Sequence, residues 1–210
     1  MTAPQSVVVA VTGASGAVYA RRLLEILIDR VPLVYFTMSV RGCQVLNYEL
    51  GTDLSMKRFD ATPLLGRQPE NLLFFHPADF NAPFASGSGA ADAMVIVPCS
   101  MSKAGAIASG FTEDLVARGA DVALKENKQL IVVPREFPLN LIHLRNLTTL
   151  ASAGATILPA MPAFYQLPKT MDDLVDSVVY RVVAQLGLPI PDSARWTGEI
   201  HVRDERADSV

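Results

Sequence analysis

The chain has 210 residues, 50% of them hydrophobic and only 19% charged, with a formal net charge of −3. That length suits one α/β domain with a substantial core, and the near-neutral balance leaves no electrostatic footprint for nucleic acid. Two cysteines, Cys43 and Cys99, are too few for a disulfide framework or a zinc site and point to a reducing cytoplasm, while the apolar excess predicts surface buried between subunits.

Taken in chain order, short β-branched runs alternate with stretches of helical period. Ser6 to Val11, Leu33 to Met38, Ala93 to Val97, Leu130 to Val133 and Ala155 to Leu158 are apolar on both faces, as strands of a covered parallel sheet are. Ala17 to Arg30, Arg41 to Glu49, Met101 to Gly110, Glu113 to Glu126 and Leu139 to Ala153 read as the intervening helices. A last helix over Met171 to Leu186 puts Leu174, Val175, Val178, Val179, Val182 and Leu186 on one packing stripe. Residues 51 to 71 have no period and read as an irregular crossover. The uncharged stretch from Leu147 to Pro168 is interrupted by Gly154, Pro159, Pro162 and Pro168, so it reads as a helix end, a buried strand and a loop, not as a membrane span. The N-terminal Met-Thr-Ala-Pro-Gln-Ser lacks the basic start of a signal peptide. The expected organisation is a doubly wound, mostly parallel α/β sheet over residues 1–190, followed by a polar tail over 191–210, with ligands at the carboxyl ends of the strands.

Those ends carry the chemistry. Val11-Thr12-Gly13-Ala14-Ser15-Gly16 leads from a strand into a helix; its glycines permit positive φ and close approach, and the helix start offers N–H groups to an anion. Ser39 follows the second strand, and Pro98-Cys99-Ser100-Met101-Ser102-Lys103 follows the Ala93 run. Both are places where a hydroxyl either meets a phosphate or caps a helix. Arg135-Glu136 follows the next strand between Pro134 and Pro138, a charged pair where a third ligand loop belongs.

With these motifs in order, joined by Ala-Ser-Gly-Ser at 85–88, Ala-Asp-Val-Ala-Leu-Lys-Glu at 120–126, Ile-His-Leu-Arg-Asn at 142–146 and Pro-Ala-Phe-Tyr at 162–165, the chain resembles the UbiX-type flavin prenyltransferases of the flavoprotein superfamily. The resemblance runs from Val7 to Pro189 and implies a Rossmann-like, flavodoxin-like single domain. It implies transfer of a dimethylallyl group from dimethylallyl phosphate to N5 and C6 of reduced FMN, without a metal, the product serving a UbiD-type decarboxylase. It places the flavin on Gly13, Ala14, Ser15, Ser39, the loop of Ser100, Met101, Ser102 and Lys103, and Arg135. It places the prenyl phosphate on Arg118, Lys125, Arg135, Tyr165 and Arg181, with Ser15, Glu49 and Glu136 as the proton-handling groups. It further implies a large homo-oligomer, a dodecamer in relatives, with Tyr165 and Arg181 reaching across an interface. The bland alternatives are solvated helix charges for Lys125 and Glu126, a core role for Tyr165, and a polar helix face for Arg181.

The chain departs from the family in two places. Asp79-Phe80-Asn81-Ala82-Pro83-Phe84 stands where the family commonly has Asp-Trp-Met-Ala-Pro-Pro, so Phe80 offers a weaker π face than indole and Phe84 adds bulk. Val40-Arg41 follows Ser39 in place of the common lysine. Two other functions compete: an FMN-dependent cysteine decarboxylase of the same superfamily and a non-catalytic flavin carrier. The former has an Asn where this chain has Pro162 and a His where the first helix has only Tyr19, Arg21 and Arg22; the latter has no use for a second phosphate site.

Overall fold

The computed structural model describes residues 3–195. In chain order the elements are β1 (Ser6–Val11), α1 (Ala17–Leu27), β2 (Leu33–Met38), α2 (Val40–Leu50), α3 (Thr62–Leu65), β3 (Leu72–Phe74), β4 (Ala93–Cys99), α4 (Met101–Ala108), α5 (Leu115–Lys125), β5 (Gln129–Pro134), α6 (Leu141–Ser152), β6 (Thr156–Ile157) and α7 (Met171–Gln185). The strands form one six-stranded sheet in the order β3-β2-β1-β4-β5-β6, and every pair is parallel. The chain winds out from β1 in both directions, so a crevice opens between β1 and β4 at the carboxyl edge, where such sheets bind ligands.

The unbroken apolar runs are explained by two cores. Val7, Val9 and Val11 of β1 face a layer with Leu23, Leu24 and Leu27 of α1 and Val175, Val178, Val179 and Val182 of α7. Val8 and Ala10 face the opposite layer, with Leu115, Val116 and Ala120 of α5 and Leu150 of α6. A strand covered on both faces gains nothing from polar alternation. Helix starts are fixed locally: Asp114 caps α5, and Asn140 and Thr170 build capping boxes at α6 and α7.

The structure departs from the sequence reading at the sheet margins. The patternless crossover contains α3 and leads to β3, a three-residue strand too short to carry a period. The strand expected over Ala155 to Leu158 is only Thr156–Ile157 and is half-buried, because β6 is an edge. In α7, Leu174 is only half-buried and Val183 joins the packed stripe instead. The beginning of the expected tail forms one tight turn at Asp192–Ala194, where the Ala194 carbonyl accepts from Gln166; Trp196 onward lies outside the described residues. Among the described residues no helix is long and apolar enough to cross a membrane.

Candidate active site at the carboxyl edge of the sheet

Thr12 joins the central loops. Its Oγ1 donates to the Pro98 carbonyl at 2.9 Å and accepts from the Ser100 N–H at 2.7 Å, so the β1 and β4 loops are tied together through one hydroxyl, itself only 1% exposed. Ser39 N–H donates to Val11 at 2.9 Å, and a Cβ on Gly13 would lie 2.6 Å from the Arg41 Cβ. Gly13 is therefore required by the approach of α2, whereas positive φ is found at Gly16, at +119°. Arg135 enters the same crevice, its N–H donating to Cys99. Its guanidinium lies 5.1 Å from the centre of the Phe137 ring.

The start of α1 differs from the expected open anion site. The N–H groups of Gly16 and Ala17 both donate to Glu49 Oε2, at 2.9 and 2.8 Å. Burial pushes the Glu49 carboxyl up, but hydrogen bonds from the Ser15 side chain and from Gly16 and Ala17, with the charge of Arg135, outweigh it and hold the carboxyl below its ordinary value. An internal carboxylate thus takes the place the sequence offered to a phosphate. Ser15, Glu49 and Arg135 form one electrostatic unit. Ser39 and Ser100 act as helix caps, their hydroxyls accepting from Gly42 and Lys103 N–H, and each brings a helix start to the crevice.

Beside this unit is a cavity of about 390 Å³ whose lining includes Tyr19, Arg135, Glu136, Leu139, Met161 and Pro162. That volume falls within the range of small-molecule sites. Glu136 is exposed at its rim, its Oε1 accepting from the Phe137 N–H at 3.1 Å. Tyr19 is a residue the sequence reading passed over. Burial raises its phenol against the opposing pull of Arg135, and a Cβ on Gly16 would come within 2.9 Å of its ring. The three-residue step from Gly16 to Tyr19, one helical turn, was the available signal.

Other expected site residues fall elsewhere. Lys103 is turned away from the crevice: its ammonium is buried and paired with Glu113 at 3.0 Å and Asp114 at 2.8 Å, so its charge is already neutralised within the fold. Met101 is buried and Ser102 exposed. Arg118 donates from Nε to the Ala85 carbonyl at 2.9 Å and pairs with Asp121. Lys125 pairs with Glu126 at 3.1 Å at the last residue of α5, before β5 begins. The six residues of β5 put about 20 Å between Lys125 and Arg135, at about 3.3 Å per residue. One copy of the chain therefore does not bring Lys125 to Arg135. Tyr165 and Arg181 line a second cavity, about 360 Å³, on the open side of β6, and Pro159 and Met161 line both cavities. Phe80 is exposed, whereas Phe84 is buried against Tyr35 and Phe75, so the added bulk goes into the core and not into a donor pocket.

Sheet order, switch-point crevice and loops define a flavodoxin-like α/β protein built to hold a nucleotide-sized ligand at its carboxyl edge. The chain is 44% identical to the flavin prenyltransferase UbiX of Halalkalibacterium halodurans over 191 residues, 91% of this chain and 93% of that one. It superposes with a TM-score of 0.81 on AnUbiX in complex with FMN and dimethylallyl pyrophosphate, at 38% identity over 94% of this chain and all of that one. A dodecameric FMN-dependent UbiX-like decarboxylase from Escherichia coli O157:H7 matches with a TM-score of 0.80 at 39% identity, over 92% of this chain and all of that one. With the Flavoprotein family model matching residues 1–183, the chain belongs to that family and, within it, to the UbiX group.

Proposed function

We propose that this protein is a flavin prenyltransferase that joins the dimethylallyl group of dimethylallyl phosphate to N5 and C6 of reduced FMN. The single observation that carries the reading is the unit of Ser15, Glu49 and Arg135 beside the cavity lined by Tyr19 and Glu136, in a chain 38% identical to a protein solved in complex with FMN and dimethylallyl pyrophosphate. The residues fit FMN: Gly13, Ala14, Ser15 and the capped helix starts at Ser39 and Ser100 would receive the ribityl phosphate end, with the 100–103 turn and Arg135 along the ring. Bound there, reduced FMN supplies the nucleophilic ring positions.

The chain's own groups do the rest. Arg118, Lys125, Arg135 and Arg181 with the Tyr165 phenol hold the phosphate and stabilise the charge it gains as the allylic C–O bond breaks, with no metal required. Phe80 offers a π face to the allylic carbon skeleton as it becomes electron-poor. Glu49 is anionic at neutral pH through its contacts with α1 and Glu136 stands at the cavity rim, so these groups would accept the proton that N5 gives up as phosphate leaves, return one proton to the prenyl double bond so that its tertiary carbon can bond C6, and accept the proton that C6 then loses, with Ser15 between Glu49 and the flavin.

Lys125 and Arg135 lie at opposite edges of the sheet, and Tyr165 and Arg181 stand beside its open end, so the donor site is assembled from several copies. Exposed apolar side chains between 137 and 171, among them Phe137, Ile142, Met161, Phe164 and Leu167, supply surface for a homo-oligomer, a dodecamer in this reading. The product passes to a UbiD-type decarboxylase. Two buried free thiols, Cys43 and Cys99, accord with a cytoplasmic setting. The cysteine decarboxylase reading lacks its amide at Pro162, and a flavin carrier leaves the basic residues of α5 and α7 without a purpose. Anaerobic incubation with reduced FMN and dimethylallyl phosphate, followed by mass spectrometry of the released flavin, tests the proposal. A five-carbon mass increment supports it, and unmodified FMN overturns it.

A further inference from the structure

The connection from β3 to β4 lies along α5, and its contacts follow the helix. The Leu115 N–H donates to the Pro77 carbonyl at 2.8 Å. One turn on, Arg118 Nε holds the Ala85 carbonyl at 2.9 Å. At the far end, a Cβ on Gly87 would fall 2.1 Å from Glu126 Oε1 and 3.1 Å from Lys125 Nζ. Between these fastenings Phe84 turns inward. It is 2% exposed, its ring centre lies 5.4 Å from Tyr35 and 5.8 Å from Phe75, and its edge rests over Gly119. A Cβ on Gly119 would lie 3.1 Å from Phe84 Cδ2, 3.3 Å from Cε2 and 3.1 Å from Met94 Sδ. Gly119 is in mid-helix, where glycine costs about 1 kcal/mol relative to alanine, and its φ is not positive. Its use here is the notch it leaves for the ring.

We propose that Phe84 and Gly119 are a matched pair of positioning residues: the ring seated in the glycine notch fixes the 79–89 connection on α5 and so sets where Phe80, Arg118 and Lys125 meet the phosphate donor. The inference rests on the prenyl-transfer reading. It assigns Phe84 no contact with the donor. A methyl at position 119 pushes against a ring enclosed by Tyr35, Phe75 and Met94, and in a close-packed core the free movement is outward, along the connection that carries Phe80 and the Ala85 carbonyl. The hydrogen bonds that fix the flavin loops, linking Thr12 to Pro98 and Ser100 and Ser39 to Val11, do not involve this segment.

The test measures steady-state prenyl transfer and FMN affinity in Gly119→Ala, Phe84→Leu and the double variant. Each single variant is expected to raise KM for dimethylallyl phosphate about tenfold, as a core disturbance of the usual size implies, with FMN affinity unchanged. The double variant, in which the smaller side chain makes room for the methyl, is expected to return to within about threefold of the parent. If Gly119→Ala does not fold, Phe84→Leu with its KM and FMN readouts decides alone. The proposal is overturned if the folded variants keep the parent KM, if FMN affinity falls in the same proportion, or if the double variant is no better than the worse single one. A parent protein that makes no prenylated flavin refutes the functional reading instead, and the two failures are thereby distinct.

Discussion

The carboxyl-edge crevice and the donor-side groups are built by opposite rules. In the crevice, Thr12 ties the β1 and β4 loops by short hydrogen bonds, and Glu49 accepts from Gly16 and Ala17 with Ser15 and the charge of Arg135 beside it, all within one copy of the chain. On the proposed donor side, Arg118 and Lys125 lie along α5, whereas Tyr165 and Arg181 share a cavity beside β6. On the proposed reading, the chain prepares the flavin half by folding and leaves the donor half to assembly. Damage to the first should be felt in flavin affinity and stability, and damage to the second in donor binding and turnover.

The largest effect expected on that division is from Glu136→Gln, which keeps shape and hydrogen bonding but cannot take a proton. Single-turnover prenyl transfer should fall by roughly 10²- to 10⁴-fold with FMN titrations unaltered. Next is Arg181→Ala, which removes a charged phosphate contact. Its kcat/KM for dimethylallyl phosphate should drop by about 10- to 100-fold, chiefly through KM, again at constant FMN affinity. A loss of FMN binding in either variant would erase the boundary between the halves.

Thr12→Val probes the other side. It strands the Ser100 N–H in a partly buried setting while the Pro98 carbonyl keeps the backbone N–H of residue 12, at a cost of about 1–3 kcal/mol in denaturant unfolding, and FMN should bind about tenfold more weakly because the two loops part. The smallest effect concerns pH. Because the Glu49 carboxyl is held below its ordinary value, its cap on α1 stabilises the fold above the unfolded carboxyl's value near about 4.3 and is lost as pH falls through the lower folded value. Thermal unfolding of Glu49→Gln should show a shallower acid limb than the parent, and identical limbs would remove Glu49 from the cap.

The same division explains what was legible in the sequence. Strands β1, β2, β4 and β5 are covered on both faces, so their continuous apolar runs announce them, while β3 and β6 are short and lie at the margins where burial imposes no pattern. In the crevice, loop positions followed from strand ends, but which groups occupy them did not. That Glu49 reaches back to the start of α1, or that Lys103 turns to Asp114, depends on contacts between residues 33 and 11 apart in the chain. The sequence shows that Phe84 adds bulk but not where it goes, because a single position cannot reveal the notch opposite it at Gly119. Family resemblance placed the donor residues in one site, and the fold shows the reach that a single copy lacks.

Mixed oligomers test that claim most directly. Lys125→Ala and Glu136→Gln are each expected to be inactive alone, and if each donor site draws these two residues from different copies, co-assembly at equal ratio should leave about a quarter of sites with both parental residues. Prenyl transfer should then recover to about a quarter of the parental rate. Recovery no greater than the two variants show separately would place both residues in one copy's site and contradict the account.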